Sequence, residues 1–411
     1  MRLKYLFPVL VAFLVFTCDS DKEGMELVQV ATPEIMSKAE FRKMVEVTKP
    51  CPMEEIGKIY AYRNYIFIGE VDEGIHVIDN SNPVFPKKIK FIKIPKNEDV
   101  SVKDDILYAD SASDLLAFDI SDLYSIKLIE RLEDVFDIYN YDVPLEAQRI
   151  EYANFNYETD VIVGWKVSSK WREKIYWEAT GGLMNDAFSG GAESTTGVGG
   201  SLARFQIVDN YLYAVGRSEM SIFNIQELSA PTLEVIQSVG WNIETMFHVD
   251  NYLYLGSTNG MYIYSLNEPV RPEYVSEFIH WQGCDPVVVD GNYAYLTLRG
   301  GNFCGQLESV LEVIDVSDKS NPELAARYSL DNPYGLGIKD DVLYVCDGTS
   351  GLKLFDKSDP LNLNMLGNLK DIQSKDVIPL ENSLLMIGGN TLYQYEYLEN
   401  GVKLISAFSL N

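Results

Sequence analysis

An all-β, seven-bladed propeller of four-stranded blades is the fold class this sequence predicts, and three observations predict it. The string VDNYLY occurs at Val208–Tyr213 and again at Val249–Tyr254. Aligned on its central aliphatic residue, the chain shows seven copies, at Ile66, Leu107, Leu212, Leu253, Ala294, Leu343 and Leu384, and four of the six intervals are 41 residues. A fixed period of about 40–45 residues marks a propeller or repeat array. Within each copy, four short apolar strands and their polar turns use up the period. One such sheet alone leaves both faces wet; stacking seven about an axis buries them.

The chain opens on a leader. Arg2 and Lys4 precede an apolar run from Leu6 to Phe16, too short to span a bilayer as a helix, which needs about 20 residues. Val15-Phe16-Thr17-Cys18 resembles a bacterial lipobox. Residues 1–17 therefore read as a lipoprotein signal peptide and Cys18 as the lipidated residue. Residues 18–36 read as a tether, and the acidic Asp19-Ser20-Asp21-Lys22-Glu23-Gly24 resembles a surface-export signal. The same six residues imitate the start of a calcium loop, but position twelve is Val30 rather than the required Glu. The expected address is the outer membrane, with the body facing outward. Residues 37–56 form an N-terminal packing segment. Spacing at Phe41, Met44 and Val45 favours a short helix on the body, with an edge strand as the alternative.

Residues 57–411 carry the repeat. Each copy has a first strand, a turn such as Asp250-Asn251, an aromatic-rich second strand, and a third like Leu311-Glu312-Val313-Ile314-Asp315. A polar turn such as Ser320-Asn321-Pro322 leads into the fourth. Asp and Asn suit these turns because their side chains bond nearby backbone groups. The strands LEVID and IHVID, followed by VSDKSNP and NSNP, resemble the LVIVD repeat of bacterial secreted β-propeller proteins, from Gly57 to Leu410. That resemblance implies architecture and says little about activity.

Two insertions break the period: about 133–200 between the second and third copies, and about 299–308 in the fifth. Asp160–Tyr176 alternates like a hairpin, and 181–200 is rich in Gly, Ser and Thr. In four-stranded blades, segments leading into first strands and turns between strands two and three emerge on one face, so both insertions belong there. All five tryptophans follow them: Trp165, Trp171 and Trp177 in the large insertion, Trp241 and Trp281 before the fourth and fifth copies. Such rings either pack the insertion onto the rim or form a recognition surface. Lys58, Asp99, Arg204, Glu244, Asp285, Lys375 and Asp376 begin the innermost strands and should ring the channel mouth, to hold a polar ligand or close a solvated funnel by mutual salt bridges. The ligand-binding candidates are Trp241, Trp281, His280, Arg204, Glu244, Asp285 and Tyr334.

Net charge is −27, and −29 once Arg2 and Lys4 leave with the leader. So acidic a chain repels phosphate backbones and argues against nucleic-acid binding. An exported chain permits disulfides, and Cys284–Cys304 is the candidate because both fall on the same face of the fifth copy; Cys51 and Cys346 have no assigned partner. The three histidines, His76, His248 and His280, lie in separate copies without helical zinc spacing, so no metal and no cofactor are expected. No nucleophile elbow, metalloprotease helix or phosphate loop occurs. The reading is a non-catalytic binding or scaffold module for a protein or carbohydrate ligand. The alternative is a carbohydrate-active hydrolase or lyase with Glu244 and Asp285 as its carboxylates.

Overall fold

The repeated VDN folds as a tight turn. Asp209 and Asp250 have φ of 49° and 53°, the left-handed region that Asp and Asn tolerate better than most residues. The Tyr that directly follows the central leucine points into the next blade. Tyr213 and Tyr108 are fully buried; their hydroxyls donate to the carbonyl oxygens of Pro269 (2.8 Å) and Leu228 (2.6 Å). Those carbonyls sit in the following blade's turn between strands three and four, so one side chain fills an interface and fastens it. The Asp ending the LVIVD-type strand caps the same turn. Asp79, Asp119, Asp315 and Asp356 accept the backbone N–H two residues on at 2.8–3.0 Å.

The structure is a computed structural model describing residues 24–136, 143–152, 154–173, 198–279, 286–300, 308–399 and 401–411. Among these, seven four-stranded antiparallel units follow one another. Blade 1 comprises Ile56–Tyr62, Tyr65–Glu70, Gly74–Asp79 and Lys87–Lys93. The innermost strands of the others are Val100–Lys103, Phe205–Val208, Ile243–Val249, Val287–Asp290, Leu336–Lys339 and Ser374–Pro379. Each lies against the next, and the last returns to the first. Core clusters sit between blades. Tyr213 and Ile222 of blade 3 meet Met246 and Leu255 of blade 4. At closure, Ile59 and Ile66 of blade 1 meet Ile378, Leu385 and Leu392 of blade 7. Each fully buried Leu or Ile contributes about 1.5–3 kcal/mol.

Around residues 25–48 the structure departs from expectation. Met25–Ser37, all but its last residue within the expected tether of 18–36, is a 13-residue strand. It pairs antiparallel with Asp160–Glu173 from Met25↔Glu173 to Ser37↔Asp160, and Arg149–Ile150 adds a short parallel strand at its other edge. Asp160–Glu173 is thus one strand with a distant partner, where the alternation had suggested a hairpin closing on itself. Pro33 lies beyond the stretch paired on the second edge, where its missing N–H costs no ladder bond. The segment 37–56 supplies both alternatives. A one-turn helix, Lys38–Phe41, buries Phe41, and Glu46–Thr48 pairs outside Lys87–Lys93 as an edge strand. Arg42 fixes this segment to blade 2 through Asp114 (2.8 Å), Glu133 (2.7 Å) and Asp134 (3.0 Å).

The channel mouth is another departure: it is plugged. Val198–Gly199 pairs with the innermost strand of blade 1, at Val198↔Ala61 and Gly199↔Tyr60. Ser201 Oγ then accepts the Leu336 N–H at 2.6 Å and lies 3.4 Å from Asp376 Oδ1. Gly200 and Gly335 are required here, because a Cβ on either would overlap the Asp376 carboxylate. Of the expected charged ring, Lys58, Asp99, Arg204, Glu244 and Asp376 are therefore buried, and Lys375 is partly buried. Lys58 bridges Asp99 at 3.1 Å, and Lys375 Nζ donates to the Ile56 carbonyl at 2.6 Å.

Candidate functional site

Beside the plug, the segments leading into blades 2, 3 and 4 and the turns between strands two and three of blades 2 and 3 enclose a cavity of about 470 Å³. That lies within the usual range for small-ligand sites, about 300–1,000 Å³. Asp110, ending the second strand of blade 2, shapes one wall. Its carboxylate accepts Asn97 Nδ2 (2.7 Å) and the backbone N–H groups of Asp99 (2.8 Å) and Glu98 (3.0 Å). Burial and the nearby Glu98 push the Asp110 pKa up to about 7 against those N–H bonds. Asp99 ties three blades together: its Oδ2 faces Lys58 Nζ of blade 1 and accepts the backbone N–H groups of Arg204 and Phe205 of blade 3.

Arg204 projects between these acids. One terminal nitrogen donates to Glu98 Oε2. Its Nε and second terminal nitrogen are buried without a hydrogen-bond partner among the described residues. Idle buried donors are costly, and a guanidinium edge presents two parallel N–H groups suited to a carboxylate or paired hydroxyls. Phe136 backs the cavity, its ring 6.0 Å from Phe205 and 5.6 Å, edge-on, from Phe223.

Trp241 stands at the rim, 72% exposed. Two hydrogen bonds from the blade 3 turn hold its loop: Val239 N–H to the Ser218 carbonyl (2.9 Å) and Ile243 N–H to the Arg217 carbonyl (2.8 Å). Gly240 beneath it has φ +127°, and a Cβ there would come within 2.8 Å of the Tyr262 ring. Only glycine lets the loop lie flat on that tyrosine.

The fold thus brings Arg204, Asp99 and Trp241 into one cleft. Glu244 does not line it and is 2% exposed. Tyr334 lies elsewhere on the ring, in blade 6, with the Arg299 guanidinium 4.4 Å over its ring. Trp165 packs edge-on 5.9 Å from Tyr152 within the N-terminal ribbon, and Trp171 there is half exposed. Cys18, Trp177, His280, Trp281, Asp285 and the Cys284–Cys304 pair lie outside the described residues. Sequence reasoning missed Glu98, Asp110, Arg217, Glu219 and Phe136. The rule that put the insertions on this face applies equally to the short Gly216-Arg217-Ser218-Glu219 turn, where it would have found Arg217.

The LVIVD repeat model matches residues 57–89, 96–134 and 284–329. The chain carries LVIVD repeats on a β-propeller fold. The matched stretches hold the Asp-capped strands of blades 1, 2 and 5, and blades 3, 4, 6 and 7 of this LVIVD-repeat chain repeat the same plan with looser wording. No curated protein matches it in sequence. Three solved structures illustrate the shared fold. A Lactobacillus plantarum protein covers 86% of this chain and 96% of its own, at 10% identity and TM-score 0.53. The periplasmic gluconolactonase PpgL of Pseudomonas aeruginosa covers 86% and 96%, at 11% and 0.51. Saccharomyces cerevisiae Sqt1 covers 89% and 87%, at 9% and 0.51.

Proposed function

We propose that this LVIVD-repeat propeller is an exported, lipid-anchored binding module displayed at the cell surface, and that its ligand, a saccharide unit, enters the cleft between blades 2, 3 and 4. One observation carries the reading: an exposed tryptophan stands over a cavity holding a buried arginine, two of whose nitrogens have no hydrogen-bond partner among the described residues. An indole face suits the C–H face of a sugar ring, while Arg204 and the acids around it suit ring hydroxyls or a sugar carboxylate. The leader of residues 1–17, Cys18 and the acidic stretch behind it support the address.

The alternative, a carbohydrate-active hydrolase or lyase built on Glu244 and Asp285, has weaker support, because Glu244 does not reach the cavity. The gluconolactonase likeness, at 11% identity, extends to the fold alone. A panel of neutral and acidic oligosaccharides, with peptides as comparison, tests the proposal through tryptophan fluorescence and calorimetry. Trp241→Ala and Arg204→Gln should each weaken sugar capture at least tenfold, while Trp241→Ala leaves thermal unfolding nearly unchanged. Undiminished capture in Trp241→Ala, or turnover lost in Glu244→Gln, would overturn it.

A further inference from the structure

A second group of reactive side chains meets on the same face, at blade 1. Cys51 lies on the chain leading into the innermost strand, Glu70 ends the second strand, and His76 is in the third. One ligand atom of each lies within 4.8 Å of the other two. His76 is wholly buried, its Nε2 2.8 Å from Glu70 Oε2, while the other Glu70 oxygen accepts the Glu54 N–H at 2.6 Å. Cys51 is only partly buried, so solvent reaches the group from its side. The repeat does not call for a histidine here. The pairing registers put Leu116, Ser221, Glu312 and Lys353 at the same position in blades 2, 3, 5 and 6.

We propose that Cys51, Glu70 and His76 form a three-ligand site for a zinc ion, with the fourth coordination position open toward solvent on the Cys51 side. Thiolate, imidazole and carboxylate are the donors zinc takes, at about 2.0–2.3 Å in tetrahedral geometry. Donors at those bond lengths stand roughly 3.3–3.8 Å apart. The group is therefore close to size: His76 and Glu70 part slightly and the sulfur moves in. Charge balances, since one thiolate and one carboxylate neutralise Zn²⁺. Burial pushes the His76 pKa down, so the ring is neutral, the form that ligates. The Cys51 thiol, raised by burial and by Glu70, loses its proton to solvent when the metal binds. Lys88 does not occupy the position; its Nζ donates to the carbonyl oxygens of Cys51 (3.2 Å) and Leu410. The neighbouring Met53 N–H donates to the same Leu410 carbonyl at 3.1 Å. Zinc would thus tighten the join between blades 7 and 1.

Purified full-length protein is titrated with Zn²⁺ against a chromophoric chelator, and with Co²⁺ followed by absorption. Expected are one tight equivalent of zinc, a thiolate-to-cobalt charge-transfer band, and a zinc-dependent rise in Tm. Cys51→Ser, a change at a partly exposed position that keeps the His76–Glu70 bond, should abolish the band and the rise and weaken zinc at least a hundredfold. A protein that takes up no stoichiometric zinc, or a Cys51→Ser variant that binds Zn²⁺ and Co²⁺ as wild type does, overturns the site. Absence of the cobalt band in wild type overturns it too, whatever the variant's folding.

Discussion

Replacing Asp376 by Asn should make the protein more stable, and increasingly so as pH rises. Asp376 is 1% exposed beneath the plug. Its Oδ1 accepts the Val377 N–H at 2.9 Å, and its Oδ2 has no hydrogen-bond partner among the described residues. Burial raises its pKa from the ordinary 3.8 to about 7, opposed by the Val377 N–H, Lys375 and Ser201. The folded protein thus keeps a proton that the unfolded chain sheds between about pH 4 and 7. Stability from this group is greatest below pH 4 and falls as pH rises through 7, the reverse of a salt-bridged carboxylate. Such a displacement is worth up to about 4 kcal/mol when fully expressed. Asn keeps the acceptor for Val377 and removes the charge. Denaturant unfolding of both proteins from pH 4.5 to 8 should show a difference of about 1 kcal/mol at the acid end, growing to about 3–4 kcal/mol in the variant's favour. Asp110, also near 7, titrates in both proteins and cancels in the difference. A gap independent of pH, or a variant uniformly less stable, would refute the reasoning.

Other perturbations probe other parts. Tyr213→Phe leaves the Pro269 carbonyl without its donor and should cost about 1–2 kcal/mol, read as a lower denaturant midpoint with unchanged m. Asp114→Ala strands Arg42 and Arg131, 2.8 and 2.7 Å away, and should cost about 3 kcal/mol or more, with residues 25–48 freed to proteolysis. Although burial opposes it, Arg42, the Asp134 N–H and Arg131 hold the Asp114 pKa below its ordinary 3.8. That stabilisation is present above pH 4 and lost as pH falls below it, so the same segment should become protease-sensitive in acid. Gly240→Ala forces a Cβ against Tyr262 and should displace Trp241, reducing sugar capture tenfold or more with only a modest drop in Tm.

The blades were legible because they repeat a local code in variant spellings: a polar turn such as Asp209-Asn210, a tyrosine such as Tyr213 reaching the next blade, an Asp such as Asp315 closing the following turn. Those signals lie within a few residues of the structure they dictate. The ribbon was not legible, since Met25–Ser37 and Asp160–Glu173 find each other across more than a hundred residues and neither contains a turn to announce the pairing. The plug hid for a related reason. Val198–Ala203 follows a Gly- and Ser-rich stretch, and its approach to Asp376 depends on Gly200 having no side chain, a glycine that reads in sequence as a loop. At the cleft, Arg204 and Trp241 stood out by type and place. Asp110 did not, because a carboxylate holding backbone N–H groups looks in sequence like any other among 61 acidic residues.

The four strands of every blade follow one another in the chain, and among the described residues blades 1 and 7 share no strand: blade 1 begins at Ile56 and blade 7 finishes at Ser409. The circle is complete in space yet unlatched along the backbone, sealed at its seam by Ile59, Ile378, Leu392 and their neighbours. Topologically the seam is one boundary among seven. With side-chain packing in place of a shared strand, this seam is where the ring would first gape under load.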